Sequence, residues 1–394
     1  MRKIKIGIFN DSFYPMLDGV VTAIDNYATL LLKNFNCDVT VFTVGSCKGK
    51  KDTKEHPYKV VKSKSLRIFF LDYDLPTPNR DKQFKKALEE SDLDIVYFHS
   101  PVSMGKAAIK YAKKHNIPII CHLHSQFWRD FYRATKSKVL ASMLLRKIMK
   151  VFNQSDCAIA VNDFTKDLFI KDYKLTAPVK VVNNATNMLP LENPEEAKSF
   201  INEKYGLSSD RKVFTFVGRL NKLKNIDLTL DSLALLKKKY DNFTFLLVGG
   251  GKDQEYFEQR VKKLDLEDNV IFTGKIHDQD LLKKVYCRAD LLLFPSLYDT
   301  DGIIKFEAAS QCTPSVFVEN SGAASQIIDN ETGFIVKNTP ESFAEKIYEV
   351  ITNDKLYEKV SQNCFNNLYR TWEDSAKEIY QLICELIEKN KKQK

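Results

Sequence analysis

The sequence predicts an α/β protein built from two doubly wound domains. Short apolar runs recur along its 394 residues, each followed by a polar or glycine-containing turn and then by a segment of helical period. This pattern is typical of parallel sheets wrapped by helices. Apolar residues make up 44% of the chain and charged residues 28%, which is a globular rather than a disordered composition. The length allows two or three domains.

The predicted strands fall into two sets, separated by a polar stretch. The first set is Ile4–Phe9, Asp38–Thr43, Ile95–Phe98, Pro118–Cys121, Cys157–Val161 and Lys180–Val182. The second set is Val213–Val217, Phe243–Val248, Val270–Thr273, Leu291–Phe294, Ser315–Val318 and Phe334–Val336. Asn183–Lys198, rich in Asn, Pro and Glu, is interpreted as the linker. We therefore predict an N-terminal domain over 1–190, a second domain over 191–370, and a C-terminal helix over 371–394 whose return to the first domain is left open.

The net charge and the cysteines indicate the kind of partner and the cellular compartment. The 60 Lys and Arg against 51 Asp and Glu leave a net charge of +9, which suits an anionic partner such as a nucleotide, a nucleic acid or a membrane surface. The eight cysteines include no C-x-x-C pair, which favours a reducing compartment. Neither a signal peptide nor a membrane-spanning segment is predicted, so we expect a cytoplasmic protein.

Residues that follow strands are candidates for the functional site, because ligands of open parallel sheets bind beyond the carboxyl ends of the strands. Asp18-Gly19-Val20 comes after the first strand, where Gly19 permits close backbone approach and the next helix offers amides to an anion. An ordinary turn is the alternative. Gly249-Gly250-Gly251 lacks the spacing of a dinucleotide-binding loop and is interpreted as a tight turn more readily than as a ligand contact.

Charged side chains after strands of the second set indicate a phosphate site and a hydroxyl site. Arg219 and Lys224 share one short loop, from which both cations could reach a pyrophosphate, although isolated surface cations are usually only solvated. Asp299 and Glu307 flank the turn at 302–304. Such a pair can bind hydroxyl groups along a sugar nucleotide while the backbone amides of the turn face its phosphates.

A divalent metal is the weaker interpretation of this region. Asp299-Thr300-Asp301 has the D-x-D spacing that holds a divalent cation in some transferases. Asp72-Tyr73-Asp74 and Asp92-Leu93-Asp94 share the spacing, so the match is not specific. We therefore expect no metal and no cofactor.

Three histidines, His99, His122 and His124, lie at or just after strands of the first set. Taken alone, each is more often a satisfied core histidine than a functional one. Their shared location at the carboxyl edge favours a role. Because His122 and His124 alternate on an extended segment, only one of them is expected to face the site, and we choose His124, which lies where the strand gives way to a loop.

Together these residues resemble those of the retaining glycosyltransferases of the GT-B fold, the large family that includes sucrose synthase and bacterial glycolipid and polysaccharide glycosyltransferases. The matching segments are Asp18-Gly19-Val20, His124-Ser125, Gly218-Arg219-Leu220 with Lys224, and Asp299 through Glu307, which resembles the family motif of two glutamates separated by seven residues. The resemblance covers nearly the whole chain. It implies two Rossmann-like domains that face each other across a cleft.

The resemblance also implies residue roles. Arg219 and Lys224 would bind the donor diphosphate, Glu307 the ribose, and Asp299 the transferred sugar, while His124 would contact the sugar or the diphosphate. The implied catalytic residues are His124, Arg219, Lys224 and Asp299. The implied donor-binding residues are Gly19, Arg219, Lys224, Ile276, Gly302, Ile303, Ile304 and Glu307. Three features depart from the family. Asp299 is one methylene shorter than the usual glutamate, and Asp301 stands where an aromatic or apolar residue is common. In addition, Asn184-Ala185-Thr186-Asn187 replaces the usual Asn-Gly turn at the linker.

Residues 131–155 carry six basic side chains and no acid. This charge pattern is relevant to whether the acceptor lies in a membrane. On a helical wheel, one arc holds Leu140, Leu144, Leu145, Ile148, Val151 and Phe152, and the other holds Lys136, Arg146, Lys147 and Lys150. Such a helix can lie on an anionic bilayer; packing of its apolar arc on the sheet is an equal alternative. The aromatic segment before it, 127–132, could insert among headgroups, stack on a sugar or fill the core.

The family implies a glycosyltransferase that moves a hexosyl unit, expected to be UDP-linked, with retention of configuration. We expect a membrane-associated glycolipid or lipid-linked glycan as acceptor and a peripheral position on the inner face of the cell membrane. A soluble glycan or protein acceptor is the alternative. A non-catalytic nucleotide-binding or nucleic-acid-binding protein explains the charge but not the paired acids, and no nucleic-acid-binding signature is present.

Overall fold

The computed structural model describes residues 2–16, 18–46, 49–67 and 74–393. The chain divides into two compact units, one comprising residues 1–184 with 372–394 and the other comprising 185–371. The second unit thus begins at 185 rather than at 191. The last helix belongs to the first unit, where the hydroxyl of Ser375 donates a hydrogen bond to the carbonyl of Asn183 at 2.8 Å.

The first unit is built on a parallel sheet. Its strands are β1 (Ile4–Phe9), β2 (Cys37–Val44), β3 (Lys59–Ser63), β4 (Ser65–Leu66), β5 (Leu75–Pro76), β6 (Ile95–Phe98), β7 (Ile119–Leu123), β8 (Cys157–Ala160) and β9 (Val179–Val181). Its helices are α1 (Gly19–Asn34), α2 (Lys82–Glu90), α3 (Ser103–His115), α4 (Phe127–Thr135), α5 (Lys138–Phe152) and α6 (Asp163–Asp167), together with the C-terminal helix, Trp372–Lys392. Seven strands pair in parallel in the order β3-β2-β1-β6-β7-β8-β9, and β4 pairs with β5 separately.

The second unit has the same design. It contains α7 (Pro194–Tyr205), β10 (Lys212–Val217), α8 (Ile226–Lys237), β11 (Phe243–Val248), α9 (Gln254–Lys263), β12 (Val270–Gly274), α10 (Gln279–Arg288), β13 (Leu291–Phe294), α11 (Ile304–Ala309), β14 (Ser315–Val318), β15 (Phe334–Val336), α12 (Pro340–Ile351) and α13 (Asp354–Leu368). The C-terminal helix, Trp372–Lys392, is α14. Six strands pair in parallel in the order β12-β11-β10-β13-β14-β15. The predicted α/β class with two doubly wound, Rossmann-like domains is confirmed.

The predicted strands are all present, with bounds within two residues. Buried parallel strands are apolar on both faces, so they stand out as continuous apolar runs. Strand β3 was missed because Lys59 and Lys62 are exposed on this edge strand. The predicted linker was too long: α7 begins at Pro194, with Glu195 and Glu196 in its first turn, which is a recognisable helix start.

Each sheet has one switch point, where the strand order reverses: between β1 and β6 in the first unit, and between β10 and β13 in the second. Ligands of such sheets bind at the carboxyl ends of the strands beside this point. Arg219 and Asp299 follow β10 and β13, and His99 follows β6. Among the described residues, no helix has both the length and the apolar character that a bilayer span requires.

Candidate functional site

Arg219 lies on the loop after β10, which packs closely against the glycine-rich loop after β11. The amide of Gly218 donates to the carbonyl of Val248 at 3.0 Å, and that of Leu220 donates to the carbonyl of Gly250 at 3.2 Å. Gly249 has φ +140°, and a Cβ there would lie 1.9 Å from the Gly218 carbonyl oxygen, so only glycine fits. The glycine run therefore packs two loops together. Arg219 is exposed, and its guanidinium forms no ion pair with any residue that the structure describes.

Lys224 and Asp299 form an ion pair at the carboxyl ends of β10 and β13. Lys224 ends a short 3-10 turn (Lys222–Lys224), and its Nζ lies 2.6 and 2.8 Å from the two carboxylate oxygens of Asp299. The same ammonium lies 5.5 Å from the centroid of the Phe294 ring at the end of β13. An ammonium has three N–H donors. Asp299 takes two of them, which leaves one for a further acceptor.

Gly322 shapes the loop that carries Asp299. A Cβ at Gly322 would lie 2.5 Å from the carbonyl oxygen of Thr300 and 2.6 Å from that of Asp299. Any side chain at this position would therefore push the loop away. Sequence reasoning did not single out Gly322, because its role depends on a contact with a loop that lies more than twenty residues earlier in the chain.

Asp301 forms a second ion pair, which is buried. Its carboxylate lies 2.5 Å from the Nζ of Lys305, and Lys305 also donates to the carbonyl of Ala323 at 3.2 Å. The sequence contained the signal for this pair, since an acid and a base four residues apart meet on one face of a helix. Both carboxylates of the D-x-D sequence, Asp299 and Asp301, are thus ion-paired with lysines, which does not fit a cluster of oxygen ligands for a divalent cation.

Glu307 lies on α11 and accepts a hydrogen bond from the hydroxyl of Tyr286 on α10, 2.7 Å from Oε2. Burial raises the pKa of Glu307, and the bond from Tyr286 partly offsets this. Burial also raises the pKa of Tyr286 well above its usual value, so the hydroxyl keeps its proton. Oε1 of Glu307 has no donor among the described residues. Tyr286 was missed, because no motif links residues 21 positions apart.

The remaining donor-side candidates lie close to these groups along the chain. Gly302 and Ile303 form the turn into α11, and their carbonyls accept from the amides of Lys305 and Phe306 at 3.0 and 2.9 Å. Ile304 is the first residue of α11. Ile276 follows β12 and is partly buried against an apolar cluster of the second unit. The contacts of these residues with a donor stay predictions.

Gly19 is the first residue of α1 in the first unit. The expectation that the first amides of this helix are offered to an anion is wrong for two of them. The carboxylate of Asp18 caps the helix, with its Oδ1 accepting from the amides of Val20 and Val21 at 2.9 Å each. These two amides are therefore taken by the chain's own acid and are not available to an external anion. A donor contact at Gly19 itself stays a prediction.

The three histidines meet at the carboxyl edge of the first sheet. His99 Nδ1 lies 2.8 Å from His124 Nε2, and His122 Nδ1 lies 2.5 Å from the hydroxyl of Tyr97. Burial lowers the pKa of His124 to about 3 and those of His99 and His122 well below the usual histidine value. All three rings are therefore neutral near pH 7. His99 and His122 are buried, whereas His124 is partly exposed.

Helices α4 and α5 contain the basic segment. The core-facing line of α5 is Ala141, Leu145, Ile148 and Phe152. Leu140, expected on that face, is 49% exposed because it lies off this line, and Val139 and Met143 are 68% and 47% exposed. Arg146, Lys147 and Lys150 are exposed as well. Phe127, Trp128 and Phe131 of α4 are partly buried and pack against the core.

Comparison with known proteins identifies the family of the chain. The model for "Glycosyl transferases group 1" matches residues 197–366, and the model for "Glycosyltransferase Family 4" matches residues 17–188. The two matches together span most of both units. The chain is thus a glycosyltransferase, and it belongs to the GT-B glycosyltransferases of group 1.

Two curated relatives match over nearly the full chain. The alpha-monoglucosyldiacylglycerol synthase of Streptococcus pneumoniae is 24% identical over 94% of this chain and 86% of its own. The enzyme of the same name from Acholeplasma laidlawii is 25% identical over 99% of both. Among solved structures, Anabaena HepE in complex with UDP and glucose superposes with a TM-score of 0.75 at 18% identity, covering 97% of this chain and 100% of its own, which supports the fold.

Proposed function

We propose that this glycosyltransferase moves a hexosyl unit from a UDP-sugar to a membrane-associated glycolipid or lipid-linked glycan, with retention of configuration. The observation that carries the proposal is the Lys224–Asp299 pair beside the switch point of the second sheet, with one ammonium N–H left for a phosphate oxygen. In such a pair, the ammonium can bind the diphosphate of a sugar nucleotide while the adjacent carboxylate accepts a hydrogen bond from a sugar hydroxyl.

Charge development on the leaving diphosphate is the chemical problem at this site. Arg219, unpaired among the described residues, and the third N–H of Lys224 would stabilise that charge as the glycosyl bond breaks. Because lysines neutralise both Asp299 and Asp301, the reaction is proposed to proceed without a divalent metal. Asp299 would accept from a hydroxyl of the transferred sugar while it holds Lys224 in place.

The nucleoside would be held by the residues around α11. Oε1 of Glu307 can accept from a ribose hydroxyl, with Oε2 held in place by Tyr286. The backbone near Ile276 would contact the base, and the amides of Gly302, Ile303 and Ile304, with Gly19 of the first unit, would contact the phosphates. UDP is favoured because a structural neighbour, HepE, binds UDP and glucose.

Retention is supported by the names of the relatives. Both are alpha-monoglucosyldiacylglycerol synthases, and an α-linked product made from an α-linked nucleotide sugar keeps its configuration. His124, partly exposed at the edge of the first sheet, would contact the sugar or the diphosphate. The names also favour a lipid acceptor.

The exposed face of α5 would bind the membrane. Val139, Met143, Arg146 and Lys150 follow the i, i+4, i+7, i+11 spacing of a single helix face, and all are exposed. Apolar side chains at one end and cations at the other suit insertion beside anionic headgroups. The enzyme would then lie peripherally on the cytoplasmic leaflet, where its lipid acceptor is present.

Sedimentation with liposomes tests the membrane contact. Arg146, Lys147 and Lys150 replaced together by Gln should release the protein from phosphatidylserine vesicles at low salt, since each cation near the surface contributes about 1 kcal/mol. A matched control replaces Lys82, Lys85 and Lys86 of α2, which are equally exposed, and should still bind. Equal binding by both triple variants would refute the contact through α5, and no sedimentation of active wild-type protein would leave a soluble glycan or protein as the acceptor.

A donor screen tests the transferase proposal. UDP-, GDP- and ADP-sugars are each incubated with the protein and diacylglycerol vesicles, and glycosylated lipid is detected by mass spectrometry. A UDP-sugar should give product, with slow release of free sugar when the lipid is omitted. Thermal stabilisation by a nucleotide without turnover of any donor would instead support a non-catalytic nucleotide-binding protein.

A further inference from the structure

Asn225 follows Lys224 directly and is the N-cap residue of α8. The side-chain oxygen of an N-cap asparagine ordinarily accepts a hydrogen bond from a backbone amide in the first turn of its own helix, and its backbone is ordinarily extended. Asn225 makes no such bond to α8, all of whose residues the structure describes, and its backbone is left-handed, with φ +58° and ψ +31°. The side chain of Asn225 therefore serves a purpose other than capping α8.

The side-chain amide of Asn225 joins three loops at the carboxyl edge of the second sheet. Nδ2 of Asn225 donates to the carbonyl of Pro295 at 3.2 Å and to Oδ1 of Asn338 at 3.0 Å. Pro295 is the first residue after β13, and Asn338 lies two residues after β15. Because the Pro295 carbonyl can only accept, it fixes Nδ2 rather than Oδ1 on this side of the amide. Both N–H donors of Asn225 are therefore used to hold neighbouring loops.

The bond to Pro295 extends towards Asp299 through the next residue of the same loop. Ser296 is fully buried, and its hydroxyl oxygen accepts from the backbone amides of Tyr298 at 3.3 Å and Asp299 at 3.4 Å. These two bonds fold the loop back onto its own first residues. A group that holds Pro295 therefore also restrains the backbone of Asp299.

We propose that Asn225 is a positioning residue, whose side chain holds the loop after β10 at a fixed distance from the loop after β13. Lys224 is joined to Asn225 through the chain, and Asp299 is joined to it through Pro295 and Ser296. Asn225 thereby keeps the ammonium and the carboxylate paired, so that the third N–H of Lys224 keeps one direction. The inference rests on the proposed function of this ion pair. Asn225 does not touch the donor; it acts through Lys224 and Asp299.

Two asparagine-to-glycine variants separate this role from a general effect on the fold. Asn225→Gly removes both side-chain bonds without straining the backbone, because glycine adopts a positive φ freely. Asn330→Gly is the matched control: Asn330 has φ +59°, and its side chain bonds to Asp329 and Lys346, but it precedes β15 and so lies at the amino end of that strand. Urea denaturation measures the loss of stability in each variant.

The ion pair can be observed without donor or turnover, from the ammonium signals in ¹H–¹⁵N spectra of ¹⁵N-lysine-labelled protein. Hydrogen bonds to Asp299 slow the exchange of the Lys224 protons with water, and the signal that is absent from Lys224→Ala identifies this ammonium. The wild-type protein and Asn330→Gly should show the signal, and Asn225→Gly should lose it. An unchanged Lys224 signal in Asn225→Gly, or no Lys224 signal in the wild-type protein, would overturn the inference.

Sugar transfer and UDP binding provide the second readout. Turnover should fall about 10- to 100-fold in Asn225→Gly, the scale of loss when a group is misplaced by about 1 Å. UDP affinity should not weaken, because Lys224 keeps its charge. An equal fall in turnover in Asn330→Gly, or weaker UDP binding in Asn225→Gly, would indicate a general structural role and contradict the inference. If the Lys224 signal is lost while transfer is unchanged, Asn225 still holds the pair and the proposed function of the pair fails.

Discussion

Replacing Asp299 by Asn should have opposite effects on nucleotide binding and on transfer. The amide cannot neutralise Lys224, so the full ammonium charge becomes available to a diphosphate. We therefore expect tighter binding of free UDP. Sugar transfer should slow, because the carboxylate that would accept from a sugar hydroxyl has been lost.

The size of the effect on binding follows from the geometry of the pair. Asp299 accepts at 2.6 and 2.8 Å from Lys224. A phosphate oxygen on the third N–H of a tetrahedral ammonium would lie about 4.5 Å from a carboxylate oxygen, where two unit charges repel by about 0.9 kcal/mol in bulk water and about 3.7 kcal/mol at an effective dielectric constant of 20. The two side chains are 18% and 24% exposed, so water still reaches the pair and screens part of this repulsion. Relief of about 1–2 kcal/mol corresponds to about 5- to 30-fold tighter UDP binding.

Isothermal titration calorimetry with UDP measures the affinity, and a steady-state transfer assay measures the rate. Asp299→Glu, which keeps the charge and matches the family residue, is the control and should bind UDP as the wild type does. Weaker UDP binding in Asp299→Asn would refute the reasoning, because it would mean that the carboxylate supports the diphosphate rather than competing with it for Lys224.

Four other predictions follow from the same site. Arg219→Ala and Lys224→Ala should each lower turnover at least ~100-fold with the fold retained; rates within threefold of wild type would contradict the phosphate role. Glu307→Gln should weaken UDP binding by about 1.5–3 kcal/mol. Because the pKa of Glu307 is raised, the wild-type protein should lose UDP affinity as the pH falls through a value above the usual glutamate range, and Glu307→Gln should not show this loss. EDTA should leave activity intact; loss of activity restored by a divalent ion would favour a metal at Asp299 and Asp301. Lys305→Met should lower the free energy of unfolding by about 3–5 kcal/mol by stranding a buried carboxylate, measured by urea denaturation.

The sequence predicted the fold class, most of the strands and the residues that follow them. Continuous apolar runs indicate strands that are buried on both faces. Because ligands of such sheets bind at the carboxyl ends of the strands, Arg219 and Asp299 could be identified from their positions just after strands. Contacts that join distant segments could not be predicted. Tyr286 reaches Glu307, and Gly322 supports the Asp299 loop, only because of how helices and loops pack on the sheet.

The sequence also did not show which candidate residues bond to groups of the protein itself. Lys224 and Asp299 were assigned to different parts of the donor, whereas the structure joins them in one ion pair. Similarly, Asp18 was expected to precede free helix amides, and its own carboxylate takes two of them. In both cases a short acidic side chain finds a donor within the protein, an outcome that residue spacing alone does not determine.

The anomeric configuration of the product tests the central claim most directly. UDP-glucose and diacylglycerol in phosphatidylserine vesicles are incubated with the protein, and the glucolipid formed at early times is examined by proton NMR while UDP release is measured. The account predicts α-glucosyl lipid in step with UDP release, and neither product with Lys224→Ala. A β-linked product would contradict retention. Failure of the wild-type protein to form any glucolipid while it hydrolyses the donor would contradict the lipid acceptor.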